Sequence, residues 1–147
     1  MKQRLDWGAA SPDALKAMLA FEGAMQKLGL EKSLIELVKL RASQINGCAY
    51  CVDMHARDAR KRGESERRLY AVSVWREANL FTPRERAALA WTDALTLLPQ
   101  SGAPDEDYVL VEAEFSEAER ANLTVAIAAI NAWNRFGVGF RLQLPAE

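Results

Sequence analysis

The chain has 147 residues, 50% hydrophobic and 27% charged, enough for a single globular domain with its own core and not the make-up of a disordered chain. A formal net charge of −1 and a pI of about 5.9 leave no basic excess for nucleic acid or an acidic membrane surface. No apolar run reaches spanning length, and the opening MKQRLDWGAASPD lacks the apolar core of a signal peptide, so a cytoplasmic protein is expected.

In chain order, the first ten residues read as a loosely structured arm whose Leu5 and Trp7 would dock on a neighbour. Ser11 before Pro12 is an N-cap and first-turn signal. Leu15, Met18, Leu19, Met25 and Leu28 recur at helical spacing, which predicts a helix over about 12–28, ended by Gly29. A second helix is expected from about Glu31 to Ile45, with Leu34, Leu37, Val38, Arg41 and Ile45 on one face and Glu36 and Lys39 near its edge. Asn46-Gly47 breaks the pattern, and with no β-alternation around it the pair predicts a helix–helix joint rather than a hairpin.

A third helix is expected from near Asn46 to Gly63, with Cys48 in its first turn. Its basic end, Arg57, Arg60, Lys61 and Arg62, suits a helix C-terminus and reads as a solvated face. A fourth helix is predicted over about 65–77 on Leu69, Val72 and Trp75. Thr82-Pro83-x-Glu85 is a capping box that opens a fifth, to about Leu98, followed by a loop from Pro99 to Pro104. A sixth runs over about 104–113, and Ser116-x-x-Glu119 opens a seventh to about Phe136 or beyond, with Gly137 and Gly139 marking its fraying end. FTPRERAAL and FSEAERANL look alike, which reads as the same capping solution used twice in preference to a remnant of internal duplication. With no run of period-two strands, the fold is expected to be all-α, with about seven helices in one domain. In the last helix Asn131, Asn134 and Arg135 interrupt an apolar face around Trp133. Such amides either cap another helix or face a partner subunit, or they brace a functional pocket.

The chemistry is gathered between Glu36 and His55. Both cysteines, Cys48 and Cys51, lie here as C-x-x-C, and the only histidine, His55, follows four residues after Cys51. On a helix that spacing puts the imidazole one turn from the thiol, where it can take the thiol proton or, as a cation, hold the thiolate. Glu36 precedes Cys48 by twelve residues. Three readings fit: a local structural disulfide, a metal site of Cys48, Cys51, His55 and Glu36, and a thiol redox pair. A disulfide closing so short a loop adds little chain-entropy stability. Structural zinc sites usually add a second Cys/His pair, which this chain lacks. Redox chemistry is therefore favoured. It is not of the thioredoxin kind, where C-x-x-C follows a strand.

Glu36, Cys48, Cys51 and His55, set within KLRASQINGCAYCVDMHARDARKRG and joined by the C-terminal INAWNRF, resemble the AhpD-like alkylhydroperoxidase core of the carboxymuconolactone decarboxylase superfamily over about 12–140. The resemblance implies an all-α bundle assembling as a homotrimer or homohexamer, with no metal or other cofactor. It implies a thiol-dependent peroxidase in which Glu36 and His55 form a proton relay, directly or through water. Cys51 would attack the hydroperoxide and become a sulfenic acid, Cys48 would condense with it to a disulfide, and a thioredoxin-like or lipoyl-linked dithiol donor would reset the pair. The best-known members carry a further histidine just before the second cysteine, where this chain has Tyr50. Decarboxylases of the superfamily generally lack the C-x-x-C pair, so its presence argues against lactone decarboxylation. The alternatives are a disulfide reductase or redox sensor without peroxide specificity, and a metal-binding lyase-like protein.

Overall fold

The computed structural model describes residues 2–145. Among these residues the chain forms nine α-helices and no strand: α1 (Trp7–Ala10), α2 (Pro12–Met25), α3 (Lys32–Ile45), α4 (Ala49–Lys61), α5 (Glu66–Ala71), α6 (Pro83–Thr96), α7 (Leu98–Ser101), α8 (Asp105–Glu114) and α9 (Glu117–Gly139). A 3₁₀ turn, Val72–Val74, continues α5. No helix among the described residues is long and apolar enough to cross a membrane.

α3 is the central helix, packed against α4, α6 and α9. It buries Leu34, Glu36, Leu37, Val38, Lys39, Leu40, Ala42 and Ser43, and a helix covered on nearly every side belongs inside a bundle. Leu37 and Leu40 join Ala59 of α4, Val72, Trp75 and Leu89 in one cluster. Leu34 and Val38 join Ala88, Val111, Phe115, Leu123 and Ile127 in a second. Each leucine, valine, isoleucine or phenylalanine among them contributes about 1.5–3 kcal/mol when fully buried. α2 covers the remaining flank through Met25, which packs with Ala126 and Ala129 of α9. Both expected capping boxes form, Thr82 with Glu85 and Ser116 with Glu119.

The structure departs from the sequence expectation of about seven helices because α1 and α7 are single turns, too short to show a hydrophobic period. Residues 6–10 are not a loose arm: Asp6 caps α1, and Trp7 packs on Phe136 and Trp133 of its own α9, with ring centroids 4.2 and 6.1 Å away. α7 occupies the expected loop after Pro99. The helix expected over 65–77 is α-helical only to Ala71 and continues as the 3₁₀ turn, after which Arg86 donates to the carbonyls of Trp75, Arg76 and Ala78.

Lys39 and Glu36, expected at the edge of a face, are both inside. Lys39 ion-pairs with Glu22 of α2, which also accepts from Gln26 and from the indole N–H of Trp133. Burial works against the charge on Glu22, but the hydrogen bond and charge of Lys39, with Gln26 and Trp133, outweigh it and hold the carboxyl below its ordinary value. A carboxyl depressed in the folded state stabilises above its unfolded value and loses that contribution as pH falls through the folded one. Lys39→Met therefore leaves a half-buried carboxylate without its cation and should cost about 3 kcal/mol at neutral pH, with the deficit shrinking in acid as Glu22 protonates. Urea titrations of both proteins at neutral and acid pH measure the difference.

Candidate active site

The site is built at the joint of α3 and α4. Asn46 ends α3, and Gly47 follows with φ +67°, a left-handed turn that glycine adopts without a Cβ penalty. Cys48 is then the N-cap of α4 rather than a first-turn residue: its sulfur accepts from the Cys51 backbone N–H at 3.4 Å. The helix starts later than expected because Asn46 and Gly47 are spent on closing α3. Cys48 and Cys51 are bonded as a disulfide, their Cα atoms 5.3 Å apart. Both are almost wholly buried, 1% and 3% exposed.

His55 lies one turn after Cys51 and is 5% exposed. Its Nδ1 is 2.9 Å from Glu36 Oε2 across the α3–α4 interface. An ionised carboxylate can only accept, so the ring proton of neutral His55 sits on Nδ1 and Nε2 carries the free lone pair. The four residues singled out in the sequence are thus brought to one joint, as a disulfide beside a histidine–carboxylate pair. Among the described residues no group of three or more His, Cys, Asp and Glu side chains is arranged to hold a metal ion.

α9 supplies the wall. A Cβ built on Gly137 would lie inside contact distance of Cys48 Sγ and 3.3 Å from Cys51 Sγ, so the disulfide rests directly on the α9 backbone. One turn earlier, Asn134 Oδ1 accepts from Asn46 Nδ2 at 2.9 Å, and its own Nδ2 donates to Ser43 Oγ at 3.0 Å. Asn131 Oδ1 also accepts from Asn46 and its Nδ2 donates to Thr96. The amides that interrupt the apolar face of α9 therefore clamp the joint that carries Cys48, serving the end of α3 and the thiol site together. The sequence marked Asn131 and Asn134 but had no signal for Gly137, which read as helix fraying.

Arg62 was missed as well. Of the basic residues at the end of α4, Arg57 pairs with Asp53, Arg60 with Glu66 and Lys61 with Asp58. Arg62, half-exposed, instead brings its Nε to 3.8 Å from Glu36 Oε1. The available signal was its spacing, two helical turns from His55. On the other side of the site an open groove of about 450 Å³ reaches the disulfide at Cys48, lined by Gly47, Ala49, Tyr50, Val138 and Leu142 among others.

The model of the carboxymuconolactone decarboxylase family matches residues 12–94. The chain belongs to the carboxymuconolactone decarboxylase family. Within that family it is AhpD-like. A structure from Agrobacterium tumefaciens, of a protein of unknown function described as a candidate antioxidant-defence protein AhpD, is 51% identical with a TM-score of 0.97, covering 99% of this chain and 100% of that one. The uncharacterized protein YdfG of Bacillus subtilis (strain 168) is 38% identical over 138 residues, 94% of each chain. The debrominase Bmp8 shares the fold at 20% identity and a TM-score of 0.83, covering 92% of this chain and 73% of its own.

The contact at Gly137 generates a test in this family member. Gly137→Ala gains intrinsic helix propensity, about 0.5–1 kcal/mol, but drives a methyl into the disulfide, an overpacking cost of about 1–3 kcal/mol. Bonded sulfurs cannot rotate away from that methyl as free thiols can, so the variant should shift the thiol–disulfide equilibrium toward the dithiol. Titration against a dithiol redox buffer reads the shift.

Proposed function

We propose that the chain is a thiol-dependent peroxidase that reduces alkyl hydroperoxides through Cys48 and Cys51, with Glu36 and His55 as the proton relay. The observation that carries this reading is the Glu36–His55 hydrogen bond, which puts an oriented imidazole one turn from a cysteine already bonded to its partner. The AhpD-like fold and the description of the Agrobacterium tumefaciens relative support it.

In the reduced protein His55 takes the Cys51 thiol proton, and the imidazolium, steadied by Glu36, holds the thiolate. The thiolate attacks the terminal peroxide oxygen, and the O–O bond breaks. Cys51 becomes a sulfenic acid while the departing alkoxide takes the proton from His55 and leaves as an alcohol. Cys48 then attacks the Cys51 sulfur, its thiol proton leaves with the hydroxyl as water, and the disulfide closes. A dithiol donor, thioredoxin-like or lipoyl-linked, restores the pair by exchange and leaves as its own disulfide. The groove at Cys48 supports entry of that donor on the Cys48 side, which releases Cys51 as the thiolate that His55 stabilises. Helix capping at Cys48 favours a thiolate there by about 0.3–1 kcal/mol, less than an imidazolium offers at Cys51. Tyr50 lines the groove, so the relay proposed here runs through one histidine. We read the assembly as a homotrimer or homohexamer, a reading supported by the exposed Val109 and Leu110 of α8.

The test is a thiol count. One equivalent of an alkyl hydroperoxide should remove two thiols from the metal-free reduced protein. Cys48→Ser should still form a sulfenic acid at Cys51 but close no disulfide, and Cys51→Ser should lose the reaction. His55→Ala and Glu36→Ala should slow the first step by roughly 10²-fold or more with the helical spectrum unchanged. Sulfenic acid forming on Cys48 of Cys51→Ser at the wild-type rate overturns the assignment, and stoichiometric zinc whose removal abolishes activity favours the metal-site reading.

A further inference from the structure

Glu36 is 8% exposed, yet both of its oxygens face cations or potential cations on α4. Oε2 is 2.9 Å from His55 Nδ1 and Oε1 is 3.8 Å from Arg62 Nε. His55 lies on α4 and Arg62 is that helix's C-cap seven residues on, so both reach a single carboxylate of α3. Behind Glu36, on the Arg62 side, lies a cavity of about 70 Å³, walled by Met25, Leu28 and Ile35 and edged by Lys32 and Arg62. That volume has room for a few water molecules. The carboxylate thus stands between a dry side, where it meets His55, and a side open to water, where it meets Arg62.

We propose that Arg62 is a positioning residue of the Glu36–His55 pair, anchoring the carboxylate by its second oxygen and drawing off part of its charge, so that His55 is oriented without being locked as a cation. The inference rests on reading Glu36 and His55 as the relay. A buried carboxylate facing one imidazole alone would hold the imidazolium tightly, and a base that is permanently protonated cannot take the Cys51 proton. Sharing Glu36 with a guanidinium weakens that hold and keeps the ring able to gain and lose a proton.

The other charged groups around the pair are engaged elsewhere or stand apart. On α3, Lys39 is held by Glu22, and Lys32 sits at the cavity edge. On α4, Asp53 and Asp58 pair with Arg57 and Lys61. Glu64 shares a shallow hollow with Arg62 but is bound to Arg68. α9 meets the thiol site with Gly137 and Asn134, neither of which carries charge. Cys51 does not titrate while the disulfide is closed, so the oxidised protein isolates the histidine.

His55 is the only histidine, so its imidazole proton resonance can be followed by NMR through a pH titration of the oxidised full chain without ambiguity. Arg62→Gln removes a like charge from the neighbourhood of the imidazolium and returns the whole of Glu36 to it; both effects have the same sign. The titration midpoint of His55 should rise by about half a unit. Arg60→Gln removes another half-exposed cation, one that pairs with Glu66 instead, and should leave the midpoint in place. An unchanged or lowered midpoint in Arg62→Gln overturns the proposal, as does an equal rise in Arg60→Gln, which would mark a general surface-charge effect. The readout needs no peroxide, so a failed peroxidase assay and a failed histidine titration are separate results.

Discussion

A carboxylate inside a helical bundle needs compensation, and Glu36 finds it only across the α3–α4 interface. An uncompensated buried charge would cost several kcal/mol. The hydrogen bond to His55 therefore constrains the register of the two helices on which the candidate site is built. Sliding α4 by one turn against α3 would part Glu36 from both His55 and Arg62 and leave it bare. The same pairing that keeps the core tolerable orients the imidazole beside Cys51, so stability and chemistry draw on one contact.

α9 reinforces that register from the third side. Its amides at Asn131 and Asn134 satisfy Asn46, and Gly137 lets its backbone approach the disulfide where any side chain would intrude. Buried amides are high-stakes groups: fully partnered, they specify one arrangement, and each bond of the Asn46–Asn131–Asn134–Ser43–Thr96 chain has its donor and acceptor. The N-terminal Trp7 packs on the same stretch of α9 at Trp133 and Phe136, tying the chain start to the helix that backs the sulfurs.

The fold accommodates more than one chemistry, as the debrominase that shares it indicates. What bears on this chain is the content of its site, a bonded C-x-x-C against a histidine–carboxylate pair, and function is argued from sites rather than folds.

Helix class, the two capping boxes, the Asn46-Gly47 break and the gathering of Cys48, Cys51 and His55 were legible in the sequence, because each is a local matter of spacing and backbone preference. Glu36 was legible as a candidate ligand, but its pairing with His55 was legible only through family resemblance, since twelve residues and a helix break separate it from Cys48. The single turns α1 and α7 were not, being shorter than the period that would reveal them. Neither was the start of α4, where two residues go to ending α3. Only tertiary structure decided which basic residue at the end of α4 meets the site: Arg57, Arg60 and Lys61 find acids on the surface, while the C-cap Arg62 faces the one carboxylate that α3 buries. Likewise a glycine near a helix end looks like fraying until another segment's sulfur occupies the space its side chain would have filled. Local order follows from neighbours in sequence; the partners of a buried charge and the room beside a disulfide are set by segments up to about ninety residues away, which no local pattern records.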